Sequence, residues 1–182
     1  MSQAPDAGFP LDRLLAGWLE TPAAACEVRG LCLDSRKARP GDLFFAVAGS
    51  RGHGMAFAPQ AVAFGAVAVL YDPAQGGAAL AESANLAVPC LPLARLDQAL
   101  GFIADRFFGE PSAGMTVLGI TGTNGKTSCS HFLAQALDGA VIGTLGWGVP
   151  GALHATTHTT PDAIEIHALL SRLAADNVGS VA

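Results

Sequence analysis

Nine consecutive residues, Gly119-Ile120-Thr121-Gly122-Thr123-Asn124-Gly125-Lys126-Thr127, interleave three glycines with polar residues and end in a Lys-Thr pair. Glycine lets a backbone curl until successive N–H groups point inward, and a concave array of N–H groups binds anionic oxygen. A lysine at the end of such a turn adds a mobile positive charge, and the next threonine adds a hydroxyl. The chemistry this combination suits is the holding of a polyphosphate. The 121–125 backbone forms the cradle, Lys126 neutralises the β- and γ-phosphates, and the Thr127 hydroxyl reaches Mg²⁺.

A cradle of this kind needs a strand to enter it and a helix to leave it. Met115-Thr116-Val117-Leu118 is a short apolar, β-rich run, and Ser128 to Leu137 reads as a helix whose positive end faces the turn. The spelling departs from G-x-x-x-x-G-K-[ST], which would place glycine where Ile120 stands. The plain alternative is a glycine-rich turn that only happens to contain a lysine.

The 182 residues suffice for one well-packed domain or two small ones. Hydrophobic residues make up 51% and charged residues 14%, a core-forming composition rather than a disordered one. A formal charge of −5 with ten Lys plus Arg argues against a nucleic-acid partner. The N-terminus lacks a basic region followed by an apolar stretch, and no apolar run approaches the roughly 18 residues needed to cross a bilayer. Cys26, Cys32, Cys90 and Cys129 fit no zinc or redox spacing and read as thiols of a reducing cytoplasm.

Periodicity predicts a helix over Leu11–Leu19, strands over Val28–Asp34 and Asp42–Val47, a short helix over Phe57–Phe64 and a buried parallel strand over Gly65–Tyr71. Asp72 to Ala84 is rich in Ala and Gly with weak periodicity, and Val88–Leu93 is a strand interrupted by Pro89 and Pro92. Leu96, Leu100, Ile103 and Phe107 space out an amphipathic helix over Arg95–Phe108, and the Gly109–Gly114 run marks a domain boundary. Beyond the cradle come a strand over Ala140–Gly143 and a glycine-rich loop from Gly146 to Gly151. A helix then opens at Thr160-Pro161-Asp162, with Thr160 as cap and Ile166, Leu169, Leu170, Leu173 and Ala174 as its core stripe. Ser180-Val181-Ala182 starts another strand.

Three segments carry a family resemblance. Thr121–Thr127, TGTNGKT, resembles the nucleotide loop of the Mur ligases, ATP-dependent enzymes that build the peptide of bacterial cell-wall precursors; folylpolyglutamate synthetases carry a related loop. Leu33-Asp34-Ser35-Arg36, followed by Pro40-Gly41-Asp42-Leu43-Phe44-Phe45-Ala46, resembles the N-terminal Mur ligase signature where the uridine nucleotide docks. Folylpolyglutamate synthetases lack that domain. In the type that adds the third peptide residue, the resemblance implies UDP-sugar contacts at Leu33, Ser35, Ser50, Arg51 and Gly52. Thr156 to Asp162 resembles the motif that holds the muramoyl dipeptide and implies contacts from His158, Thr159 and Thr160; simple helix capping is the alternative use of these threonines. Many relatives have Asp-Gly-His after the second strand, where this chain has His53-Gly54-Met55. That leaves the loop geometry open, and His53 by itself reads as an exposed loop histidine.

The resemblance implies an α/β protein: an N-terminal Mur ligase α/β domain over residues 1–112, then the beginning of a P-loop ATPase domain with a parallel sheet over 113–182. The C-terminal amino-acid-binding domain is expected to be absent. The implied activity is ATP-dependent addition of meso-diaminopimelate or L-lysine to UDP-N-acetylmuramoyl-L-alanyl-D-glutamate through an acyl phosphate. The implied cofactors are ATP and Mg²⁺, the implied setting a cytoplasmic monomer, and the cradle residues Thr121, Gly122, Thr123, Asn124, Gly125, Lys126 and Thr127 the ATP contacts, with Lys126 catalytic. A truncated chain is expected to be inactive alone, so a non-catalytic UDP- and ATP-binding fragment is one alternative and a folylpolyglutamate-synthetase-like ligase another. An unrelated P-loop kinase or GTPase would need an acidic magnesium motif that these residues do not show. Ending at Ala182 is expected to leave Val117–Ile120 and Val141–Ile142 as unpaired sheet edges and the 113–182 portion poorly ordered.

Overall fold

The computed structural model describes residues 8–20, 26–49, 52–156 and 161–182. They form two compact units, divided in the chain between Phe107 and Phe108.

In the first unit, β1 (Phe9–Pro10) leads into α1 (Leu11–Leu14), and β2 (Glu27–Val28) pairs back onto β1 antiparallel. Next come β3 (Gly30–Cys32), a 3₁₀ turn at Ser35–Lys37, β4 (Asp42–Ala46), β5 (Ala48–Gly49) and β6 (Gly52–His53). A second 3₁₀ turn, Gly54–Phe57, runs into α2 (Ala58–Ala63), followed by β7 (Ala68–Tyr71), α3 (Gly77–Ala84), β8 (Cys90–Pro92) and α4 (Leu96–Phe107). The sheet has the order β3-β4-β7-β8, and every pair is parallel.

Hydrophobicity explains this order. A parallel sheet is covered on both faces, so its interior strands must be apolar without alternation. β4 is buried at all five positions, and Ala68, Val69 and Leu70 of β7 are fully buried beside it. β8 contains Pro92, which cannot donate to a ladder, and it takes the edge. The α4 residues Leu96, Leu100, Ile103 and Phe107 are all buried, at the spacing their sequence sets.

Several elements differ from their sequence reading. The single strand expected over Val28–Asp34 is two, β2 and β3, which pair in different sheets, and the β5–β6 hairpin is not expected from that reading. The first helix stops at Leu14 rather than Leu19, because Gly17 turns the chain with φ of +84°. Arg106 Nη1 donates to the carbonyl oxygens of Leu14 and Ala16, both at 2.8 Å, and so satisfies the end of this short helix from α4. Gly77–Ala84 is helical although its Ala- and Gly-rich sequence shows little periodicity. Ala81 and Ala84 pack on the core cluster, and small side chains leave a weak sequence signal for that contact.

The second unit contains β9 (Thr116–Val117), α5 (Lys126–Ala136), β10 (Val141–Gly143), β11 (Gly146–Gly148), α6 (Ala163–Ala175) and β12 (Ser180–Val181). β12 pairs parallel with β9 and also bridges Ala140 in parallel. Leu118 N–H donates to the Val181 carbonyl at 2.8 Å, and Ala140 N–H to the Ser180 carbonyl at 2.9 Å. The last strand of the chain therefore lies between β9 and β10. This corrects the expectation that those two strands lack neighbours: β12 fills the space between them.

The expected loop from Gly146 is instead β11, paired antiparallel with β10, and Trp147 continues the pairing to His154. Trp147 stacks on His154 with ring centroids 4.5 Å apart, and the Arg172 guanidinium lies 5.6 Å from the Trp147 centroid. α6 is capped by Asp162, whose carboxylate accepts the Glu165 N–H at 2.9 Å, with Pro161 just outside the helix. The expected cap, Thr160, lies outside the described residues. Leu170 and Leu173 of α6 close over Ala140 and Val181, with Met115, Ile142, Trp147, Ile166 and Val178 around them. Among the described residues no helix is long and apolar enough to cross a membrane.

Leu173 is 2% exposed in that small cluster. Leu173→Ala should cost about 2–5 kcal/mol. Amide hydrogen exchange should show lost protection in α6 and β12 with α4 unchanged; unchanged protection at Val181 would contradict this packing.

Candidate functional site

Parallel strands release their loops at one edge of the sheet, and ligands of open α/β sheets bind outside the carboxyl ends of the strands. Each unit has a cavity there.

The cavity of the first unit has a volume of about 410 Å³ and lies past the ends of β3 and β4. Leu33, Ser35, Arg36, Phe45, Phe57 and Gln60 are among its lining residues. Asp34 makes the entry turn rigid. Its carboxylate accepts from Arg36 N–H at 3.1 Å, from Arg36 Nε at 2.8 Å and from Nη2 at 2.7 Å. The hydrogen bonds from the Arg36 side chain hold the Asp34 pKa down at about 2. Ser35 is buried and its hydroxyl donates to Gln60 Oε1 at 2.7 Å, joining the turn to α2. On the following turn, burial pushes the Asp42 carboxyl upward, while Arg39 N–H donates to it at 2.8 Å. Phe57 is 57% exposed and is part of the lining of this cavity.

Of the residues expected to meet the UDP-sugar, Leu33 and Ser35 line this cavity together. Gly52 lies in β6, paired with Gly49, and is not part of the lining. Ser50 and Arg51 lie outside the described residues. His53 is a correction: it is 7% exposed, with both ring nitrogens engaged by backbone.

The second cavity, about 280 Å³, lies past the ends of β9, β10 and β12. Leu118, Lys126, Thr127, Ser130, Thr144 and Val181 are among its lining residues. Of the expected cradle, Lys126 and Thr127 line this cavity and residues 121–125 do not; within that turn Gly122 and Gly125 stand at φ of +148° and +79°, where a side chain would be strained. Gly125 caps α5, and the first helical bond runs from Cys129 N–H to its carbonyl at 2.9 Å. The N–H groups of Lys126, Thr127 and Ser128 therefore have no acceptor within the helix, an arrangement whose chemistry suits an anion. Lys126 Nζ folds back and donates to the Gly122 carbonyl at 2.5 Å. Thr121 to Gly125 are exposed, and Thr127 is half-buried. Ser130 donates to the Thr127 carbonyl at 2.9 Å. Among the described residues no three His, Cys, Asp or Glu side chains converge as a metal site. His158, Thr159 and Thr160 lie outside the described residues.

Sequence reasoning missed Gln60 and Phe57 in the first cavity and Thr144, Ile166 and Leu170 in the second. Gln60 had a signal, the one polar residue of the Ala58–Ala63 helix. The others are ordinary core or loop residues until the fold assembles them.

Residues 27–108 match the Mur ligase family catalytic domain and residues 120–182 the Mur ligase middle domain. The chain belongs to the Mur ligase family. Similar curated relatives are UDP-N-acetylmuramoyl-L-alanyl-D-glutamate--2,6-diaminopimelate ligases. That of Ectopseudomonas mendocina (strain ymp) is 48% identical over 173 residues, covering 91% of this chain and 33% of its own. That of Alkalilimnicola ehrlichii (strain ATCC BAA-1101 / DSM 17681 / MLHE-1) is 43% identical over 182 residues, covering 94% of this chain and 36% of its own. The chain thus spans about a third of the length of these relatives. A solved structure of a UDP-N-acetylmuramoyl-L-alanyl-D-glutamate--2,6-diaminopimelate ligase superposes with a TM-score of 0.77 at 24% identity, over 96% of this chain and 35% of its own. UDP-N-acetylmuramoylalanyl-D-glutamyl-2,6-diaminopimelate--D-alanyl-D-alanyl ligase from Acinetobacter baumannii superposes with 0.57 at 21%, over 94% and 34%. At these identities the likeness is one of fold.

The Asp34–Arg36 pair sets a pH dependence. The folded pKa of Asp34, about 2, lies below the ordinary 3.8, so its contribution is present above pH 3.8 and is lost as pH falls toward 2. Arg36→Gln should let the Asp34 carboxyl return toward 3.8, read by carboxyl NMR titration. A titration that stays near 2 would show that another group holds it.

Proposed function

We propose that this chain supplies the uridine-nucleotide and phosphate-binding parts of an ATP-dependent ligase of peptidoglycan precursor synthesis, acting in the cytoplasm as a monomer. The reaction joins 2,6-diaminopimelate to UDP-N-acetylmuramoyl-L-alanyl-D-glutamate. The observation that carries this reading is the pairing of Leu33 and Ser35 in one cavity and of Lys126 and Thr127 in another, each at the carboxyl edge of a parallel sheet. The relatives at 43% and 48% identity support it across both segments. The same two segments favour it over a folylpolyglutamate-synthetase-like ligase, because residues 27–108 match the Mur ligase family.

In this reading the first cavity receives the UDP end of the substrate through Leu33, Ser35 and the 50–52 segment, while His158, Thr159 and Thr160 meet its peptide end. ATP lies with its phosphates against the first turn of α5 and the 121–125 backbone. An oxygen of the D-glutamyl carboxylate attacks the γ-phosphorus and ADP leaves. The amine of the incoming amino acid then attacks the acyl carbon, and phosphate leaves with the bonding pair. Lys126 exchanges its Gly122 carbonyl for phosphate oxygen and neutralises charge where it builds up. The fit of a magnesium ion rests on Thr127, whose hydroxyl would take one position on an ion brought with the nucleotide; the ion would draw charge from the β- and γ-oxygens. Water must be excluded from an acyl phosphate, so positioning is the main requirement on these residues.

Two substitutions separate the sites. Lys126→Ala should weaken ATP binding to this chain at least about tenfold by calorimetry, the loss of one charge-assisted contact, and leave UDP binding unchanged. Ser35→Ala should do the reverse. ATP binding by Lys126→Ala at full strength would defeat the phosphate-site reading, and nucleotide binding without any ligation would leave a non-catalytic binding module.

A further inference from the structure

His53 stands just past β5 and β6, where sequence alone suggests an exposed loop residue, yet it is among the few buried polar side chains of the first unit. Its two ring nitrogens meet groups of opposite character. Met55 N–H can only donate, and it points at Nδ1 from 3.0 Å. The Asp72 carbonyl can only accept, and it lies 2.8 Å from Nε2. Together they fix a neutral imidazole with the proton on Nε2.

Each bond ties a different element. The Nδ1 bond caps the Gly54–Phe57 turn, whose Gly54 and Phe57 line the first cavity and which runs on into Gln60. The Nε2 bond reaches across to the end of β7. Asp72 is itself held there, its carboxylate accepting from Ala74 N–H at 2.9 Å and from Leu96 N–H at 3.4 Å at the start of α4. Gly54 N–H also donates to the Val47 carbonyl at 2.8 Å. The surroundings are shaped to leave room for the ring. A Cβ at Gly77, the first residue of α3, would lie 2.6 Å from His53 Nε2 and would also collide with the Asp72 carbonyl.

We propose that His53 is a positioning residue for the first cavity: by bridging the Gly54–Phe57 turn to the carboxyl end of β7, it holds the turn, and the end of the β5–β6 hairpin, at the geometry that binds the uridine diphosphate end of the substrate. This rests on the reading of that cavity as the UDP site. The tie transmits no chemistry to the substrate. It fixes the wall from which Phe57 and Gln60 face the ligand.

Amide side chains divide the two bonds of the ring. Asn places an oxygen near the position of Nδ1 and can keep the cap, but it is too short to reach Asp72; Gln places an N–H near Nε2 and can keep the tie. UDP affinity of the 182-residue chain, measured by calorimetry at a temperature where circular dichroism shows every variant folded, should fall about tenfold in His53→Asn and stay within about threefold in His53→Gln. Gly77→Ala, which presses on the same bond without changing the histidine, should weaken UDP as His53→Asn does. Amide hydrogen exchange over residues 52–57 should quicken in His53→Asn and Gly77→Ala alone. Wild-type affinity in His53→Asn, or equal losses in His53→Asn and His53→Gln, would overturn the proposal. Absence of UDP binding by the wild-type chain would instead remove the reading of the cavity, and with it the effect on affinity, while the exchange at 52–57 would still decide whether the tie holds the turn.

Discussion

Both cavities rest on the unpaired polar groups that parallel architecture leaves at one edge of a sheet. A parallel strand must be followed by a crossover, so successive strands deliver their exit loops side by side, together with the amino ends of the helices that follow. The groups left there are N–H donors without helical acceptors. In the second unit, they belong to the first turn of α5, reached through the positive φ of Gly125. In the first unit, the loop leaving β3 is tightened by Asp34, which supplies from its side chain the acceptor that the Ser35–Lys37 turn lacks. The same constraint thus yields a helix start with unaccepted N–H groups where the loop is rich in glycine and a shaped cavity where it is closed by a carboxylate.

How much of this could be read beforehand follows from what each residue needs in order to be visible. Local rules exposed the cradle, because its glycines, lysine and threonine act within nine adjacent positions. They exposed α4, whose large side chains repeat at steps of three and four, and β4, whose apolar run has no alternation. Gly77–Ala84 escaped because alanine buries too little surface to mark a face. The cap of α6 is Asp162, whose carboxylate accepts the Glu165 N–H, and threonine and aspartate are by type equally competent caps, so sequence alone could not choose between positions 160 and 162. His53 was misread for a different reason. Its partners, Met55 N–H and the Asp72 carbonyl, are backbone groups, and backbone carries no sequence signal.

The division of labour between the two cavities is also one of stiffness. Around the first, side chains lock one another: Ser35 to Gln60, Asp34 to Arg36, His53 to the end of β7. A cavity fixed by such bonds is preformed and spends little ordering entropy on its ligand. Around the second, the cradle residues Thr121 to Gly125 are exposed, and the lysine rests on a backbone carbonyl that a phosphate can replace. Specific recognition suits the first arrangement, and charge neutralisation of a group in transit suits the second.

The placement of β12 decides whether that second cavity exists. Val181 and Ala182 contribute to its lining, and they reach it only because β12 enters between β9 and β10. Those two strands are separated in sequence by the cradle and the whole of α5, and β12 arrives after β11 and α6 as well. Its contacts are therefore the least local in the unit, and loop closure over that span must be completed before they contribute. Leu170 and Leu173 help offset this cost by packing α6 on Val181. The geometry at Lys126 and Thr127 is thus held from beneath by residues some fifty positions downstream, and a substitution in the α6 core should be felt at the start of α5 although it touches none of its atoms.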